Sequence, residues 1–460
     1  MLVLAAGLAG CAGPRARPTV TATCLDAFAA MDQRVARAGV RDADSAPVPG
    51  WPWLRVDRVL ASFRSETLTP AAREAWLTRL SNLDADGRAV EAAALGAPAV
   101  APLAACRRSL MAETLADARA FQRLQQAARV PDSYRASARV LGLYPLAAPL
   151  AARGVARLQA RHTPRAGVSP GTSTRVYLPA ATSSTPEAAA QALRAAPRDA
   201  LGFPMPDADT RRALFAAHAP VWLVDSAGAD DRIGSLALRP DGAPRVSEPP
   251  AVYEHLSYTR FGGAVLLQLN YTVWFPARTA THRLDILAGP LDGLVWRVTL
   301  DADGLPLLWD SIHPCGCYHL WFPGPRLMRR AATVTGEPPW LGPGLVPTAR
   351  LALQVGAGNH YLMGVGEVPT GLGGERLAAR DYDELRRLPT AAGGVRSLFA
   401  PDGLVHASVR AERFLLWPLG VPSAGTMRQR GHQATAFIGR RHFDDADGIA
   451  RYFERRPADP

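Results

Sequence analysis

The stretch "GLVWRVTLDADGLPLLWDSIHPCGCYHLW", Gly293 to Trp321, decides how this chain folds. Two runs rich in Val, Leu and Trp flank "DADG", Asp301 to Gly304. Branched and aromatic side chains suit strands, and Asp-Gly is a strong short-range turn signal, so the pattern predicts a hairpin. A second hairpin is expected where "GAGN", Gly356 to Asn359, separates "RLALQV" from "HYLMGV". Further strands are predicted at "TRVYLP", "APVWLVDS", "AVLLQLNYTVWFP" and "ERFLLWPLG".

Upstream the periodicity changes. From Cys24 to Arg161, apolar residues recur three and four apart, as in "LDAFAAMDQRVARAG" and "LMAETLADARAFQRLQQAARV". Thr69 and Pro70 read as a helix N-cap and first turn, and so do Thr185 and Pro186. Pro145 and Pro149 are expected to break or kink the last helical stretch. Shorter helices are predicted at "DYDELRRL" and "DDADGIARYFERR". The run "HTPRAGVSPGTST" then marks a boundary by its Pro, Gly and Ser content. The fold class is therefore expected to be α+β, with a helical domain over residues 24–162 and an antiparallel β-sandwich-like domain over 163–460.

The formal charge is +11, and all 52 basic residues are arginine. They are dispersed along a chain rich in Ala, Gly and Pro, with no interleaved aromatic and basic patch, so a nucleic-acid partner is not expected. No segment after the first residues reaches the roughly 20 apolar residues that a membrane-spanning helix needs.

The chain opens with "MLVLAAGLAG", short, apolar and ending in small residues. That length suits the apolar region of an export signal. Leu8-Ala9-Gly10-Cys11 resembles the lipobox of bacterial lipoproteins, although no Arg or Lys precedes the apolar run. The resemblance implies removal of the preceding peptide and acylation of Cys11. Residues 1–11 would then be signal and anchor, and 12–23 a tether. Ala12 after the cysteine suggests the outer membrane, facing the periplasm. The chain as a whole resembles the uncharacterised envelope lipoproteins of proteobacteria, which implies a membrane partner through the lipid anchor.

Export makes the other cysteines informative, because disulfides persist outside the cytosol. Cys24 and Cys106 both fall in the helical region and form the simplest pair; two buried thiols are the alternative. A bridge closing so long a loop would be worth on the order of 4 kcal/mol.

His313, Cys315, Cys317 and His319 occupy alternate positions, which share one face of a straight strand. In such a strand the outer two would stand ~20 Å apart, whereas zinc holds its donors within about 2.3 Å. Pro314 and Gly316 point instead to a tight turn that could gather the donors. Three readings stay open: a site for zinc or another divalent cation, a Cys315–Cys317 disulfide, or a turn lined by two small sulfurs. Upstream, His282, Arg283 and Asp285 in "THRLDIL" match the Gly-His-Arg-His-Asp-Trp-Glu motif of the necrosis-inducing toxin family; Thr281, Leu284, Ile286 and Leu287 differ. This three-residue resemblance implies a sandwich topology and a divalent cation, and does not extend to toxin activity. The metal candidates are thus His282, Asp285, His313, Cys315, Cys317 and His319, with Asp310 beside them.

A second cluster, "MRQRGHQATAFIGRRHFDDADG", holds Arg430, His432, Arg440, His442 and Asp444. It reads as an anion-binding rim, as a His442–Asp444 acid–base pair, or as a solvated loop. Nucleophile elbows, zinc-protease helices, phosphate loops and dinucleotide fingerprints are absent from the sequence. The expected function is that of an envelope lipoprotein with a divalent-metal site; the alternative is a non-catalytic binding or structural protein with a Cys315–Cys317 disulfide.

Overall fold

The computed structural model describes residues 20–96, 101–181, 184–331, 336–346 and 350–457. The lipobox, Cys11 and residues 12–19 of the expected tether lie outside the described residues. Val20 already opens a helix, Val20–Ala38, so the end of that tether is helical.

The fold is mixed α+β, with helices first and a sheet-rich region after them. Local chemistry explains the helix ends. The Thr69 side chain accepts from the Ala72 amide at 3.2 Å and Pro70 opens helix Pro70–Ala94. Thr185 caps Pro186–Ala195 in the same way. Pro145 falls in the first turn of Tyr144–His162, where its missing N–H costs nothing, and Pro149 lies inside that helix. The Cys24–Cys106 disulfide forms and ties Val20–Ala38 to Ala101–Ala116. A short hairpin, Ala46–Val48 with Trp51–Val56, interrupts the stretch expected to be all helical.

Both predicted hairpins are present. Gly289–Leu300 pairs antiparallel with Pro306–Ile312, and Asp301 N donates to Leu305 O at 2.8 Å across the turn. Gly304 has φ +81°, and a side chain there would run into the Ala190 backbone at 2.7 Å. Leu351–Val355 pairs antiparallel with Leu362–Glu367.

Seven strands form the larger sheet, in the order Trp340–Leu341, Leu320–Pro323, Pro306–Ile312, Gly289–Leu300, Ala264–Arg278, Ala251–Phe261 and Ala378–Asp381. Its centre is antiparallel, and each edge strand joins in parallel. A six-stranded sheet runs Glu375–Arg376, Thr174–Leu178, Val221–Asp225, Leu351–Val355, Leu362–Glu367 and Arg165–Ala166, with mixed directions. The sheets are thus less uniformly antiparallel than expected. They share one core: Tyr271, Phe275 and Trp296 of the larger sheet with Trp222, Leu353 and Val365 of the six-stranded sheet, together with Leu193 and Phe215 from two helices.

"ERFLLWPLG" is not a strand. It forms a helical turn, Arg413–Leu416, and a 3-10 turn, Trp417–Leu419. Three consecutive apolar residues before Trp417 have no strand alternation, and Pro418 cannot donate to a sheet.

Candidate binding cleft

Period-two alternation gives the larger sheet two unlike faces. One is the apolar core face. The other carries His255 and Ser257, then Gln268, Asn270, Thr272 and Trp274, then Arg297 and Thr299 on neighbouring strands. Apart from half-buried Ser257, these polar side chains are almost wholly buried, so each needs a partner. At one end a cross-strand ladder supplies them. Gln268 Nε2 donates to Thr299 Oγ1 at 3.0 Å, Ser257 Oγ to Gln268 Oε1 at 3.0 Å, and Asn270 Nδ2 to Ser257 Oγ at 2.9 Å. At the other end the ladder stops: His255 Nδ1, Thr272 Oγ1 and Trp274 Nε1 are buried and have no partner among the described residues.

These three residues line a cleft of about 690 Å³. Its walls come from Asp42–Pro47, Val56–Leu60 and Val130–Ser133 of the helical region, and from Arg428, Arg430–Gln433 and Phe443–Asp444 near the C-terminal end. Paired charges fix them in place. Arg430 Nε meets Asp44 Oδ1 at 2.6 Å, and its Nη2 meets Asp383 at 2.9 Å. Arg58 Nε meets Asp444 at 3.1 Å, and His432 Nε2 donates to the Ala43 carbonyl at 2.6 Å. In the floor, Arg297 is held by both Asp310 oxygens and lies 3.5 Å from the centre of the Phe443 ring.

Burial, reinforced by the Arg430 charge, holds His255 neutral, with its pKa well below the ordinary histidine value. Burial also pushes Asp57 up to about 6, although its carboxylate accepts from the Leu60 amide at 2.7 Å. The floor therefore offers a neutral imidazole, a hydroxyl and an indole N–H, beside an Asp57 carboxyl that ionises above about pH 6. That set hydrogen-bonds to an uncharged or zwitterionic molecule better than to an ion.

The expected metal centre is overturned. Among the described residues no group of three or more His, Cys, Asp or Glu side chains could hold a metal ion. The reason is the turn at Pro314–Gly316, which places His313 and His319 on opposite faces of the sheet. His313 Nδ1 faces Asp292 at 3.2 Å, and Asp292 also meets His360 Nδ1 at 2.9 Å. His319 Nε2 instead faces Asp310 at 2.9 Å, on the polar side, and burial lowers it to about 4. His282 and Asp285 are spent locally: His282 Nδ1 accepts from the Leu284 amide, and Asp285 from Thr281. Cys315 and Cys317 are free thiols, with Cys315 in an apolar cluster with Trp274 and Met427, so the alternative of a disulfide between them is not what the described residues form.

The C-terminal rim is split. Arg430, His432 and Asp444 line the cleft, whereas Arg440 and His442 turn to Asp132. His442 pairs with Asp445 at 3.3 Å and not with Asp444, so the expected acid–base pair is not formed. Burial opposes its charge, but Asp132 and Asp445 outweigh that and raise its pKa. The floor residues His255, Thr272 and Trp274 were not anticipated. The polar alternation in "QLNYTVW", within an otherwise apolar run, is the signal that marks Thr272 and Trp274; His255 lies on the neighbouring strand.

No protein-family model, no curated protein and no solved structure matches this chain. Among the described residues no helix is long and apolar enough to cross a membrane.

Proposed function

We propose that this chain is a cell-envelope protein, lipid-anchored through Cys11 at the outer membrane and facing the periplasm, which binds a small organic ligand in the cleft. The lipobox supports the anchor. The shared core of the two sheets supports a sandwich-like arrangement for the β-rich region. One observation carries the binding reading: three buried polar atoms of cleft-lining residues, on His255, Thr272 and Trp274, have no partner among the described residues. Leaving a buried donor or acceptor unpaired costs about 1–3 kcal/mol, which a bound ligand would return as affinity. The cleft volume, about 690 Å³, suits a small-molecule site. Arginines and aspartates of the wall largely neutralise one another, so the ligand class is uncharged or zwitterionic, with hydroxyl, carbonyl or amide groups.

The test is a thermal-shift screen of nucleosides, sugars and amino acids against the wild type and the His255→Phe/Thr272→Val variant. The reading predicts at least one compound that raises the wild-type Tm and leaves the variant unmoved. Equal shifts in both proteins, or none in either, would contradict it.

A further inference from the structure

Outside the cleft, the protein carries an apolar patch built from two segments. Leu141, Leu146 and Leu150 come from the helices Ala136–Leu141 and Tyr144–His162, and Phe414, Leu415 and Trp417 from the turns Arg413–Leu416 and Trp417–Leu419. All six are exposed, Leu141 by 76% and Phe414 by 69%. The segments pack on each other: Arg135 N donates to Gly420 O, Arg139 Nε to Leu419 O, and a side chain at Gly142 would strike Pro418 at 2.5 Å. Soluble surfaces rarely gather this many large apolar side chains without a use for them.

The charge pattern says what covers the patch. From Ala136 to His162 the chain holds Arg139, Arg153, Arg157 and Arg161, and no Asp or Glu. Leu146, Leu150, Arg153 and Arg157 follow one another at steps of four and three, so they lie on one helix face. That face is apolar first and cationic afterwards. Arg153, Arg157 and Arg161 are exposed and form no ion pair among the described residues. A second copy would set this arginine row against another chain of net charge +11, which disfavours self-association. An anionic phospholipid surface satisfies both halves: acyl chains take Leu, Phe and Trp, and phosphates take the arginines.

We propose that this patch docks the protein peripherally onto an anionic bilayer. The contact does not depend on acylation of Cys11 or on the cleft's ligand. It also places the cleft beside the lipid, since Ser133 and Arg135, which line the cleft, immediately precede the first patch helix.

The test uses the full chain carrying Cys11→Ser, which removes any acyl anchor. It is sedimented with phosphatidylglycerol–phosphatidylethanolamine vesicles and with phosphatidylcholine vesicles. The protein binds the anionic vesicles. Leu146→Gln/Leu150→Gln/Phe414→Gln lowers the partition coefficient at least about tenfold. Arg153→Gln/Arg157→Gln removes the preference for anionic over neutral lipid. All three substituted leucine and phenylalanine positions are exposed, so Tm stays at the Cys11→Ser value and confirms folding. No sedimentation of the Cys11→Ser chain, or equal sedimentation of the triple variant, overturns the proposal. So does a lipid-free dimer in ultracentrifugation that the triple variant turns into a monomer, which would assign the patch to a second copy.

Discussion

Arg430 and Asp44, 386 residues apart in the chain, meet at 2.6 Å at the wall of the cleft and join its C-terminal loop to its N-terminal segment. Arg386 reinforces the junction by meeting Asp42 at 2.6 Å. Burial pushes the Asp44 carboxyl up, but Arg430 and Arg386 outweigh it and hold the group well below the usual carboxylate range. A depressed folded pKa gives stability that is present above the unfolded value, about 3.9, and is lost as pH falls through the folded one. Asp44→Asn should therefore cost about 3 kcal/mol at pH 7, and the gap to wild type should close in acid below about pH 4. Urea unfolding across pH reads both.

Thr272 gives the opposite sign. Its hydroxyl is buried without a partner among the described residues, so Thr272→Val removes an unsatisfied group while keeping the shape. The ligand-free protein should gain about 1 kcal/mol in urea unfolding. A loss of similar size would mean that the hydroxyl is structural.

Asp57 reports on the cleft through pH. Burial raises its folded pKa to about 6, so between about pH 4 and 6 the folded state binds more protons than the unfolded one. Its contribution to stability is therefore present in acid and falls as pH rises through that window. Asp57→Asn keeps an acceptor for the Leu60 amide and should remove the decline, on the order of 2 kcal/mol. An unchanged pH profile in the variant would show that Asp57 titrates normally.

The Cys24–Cys106 bridge spans 82 residues. Cys24→Ser/Cys106→Ser should lose about 4 kcal/mol in denaturant unfolding, since the open chain regains that loop's freedom. A loss under about 1 kcal/mol would mean that the helices hold their ends together unaided.

Local signals were legible and long-range ones were not. "DADG" and "GAGN" specified two hairpins because a turn needs only a few neighbouring residues. Thr69 and Thr185 specified helix starts for the same reason. His313 and His319 misled, because a shared face holds only while a strand runs straight, and Gly316 with φ +89° turns it back. The cleft draws on stretches as distant as Asp44, His255 and Arg430, whose meeting depends on how the helical region packs on the sheet. Of the cleft lining, the sequence marked Arg430, His432 and Asp444 as a candidate rim, while the alternation of Asn270, Thr272 and Trp274 in its floor went unread because the surrounding run is otherwise apolar.

Native mass spectrometry tests the binding cleft most directly. The wild type and the His255→Phe/Thr272→Val variant are each sprayed with the same mixture of nucleosides, sugars and amino acids. The structure predicts a one-to-one adduct on the wild type that is at least about tenfold weaker on the variant, in line with the loss of two buried hydrogen bonds. No adduct on the wild type, or adducts of equal strength on both proteins, would contradict a binding role for the cleft.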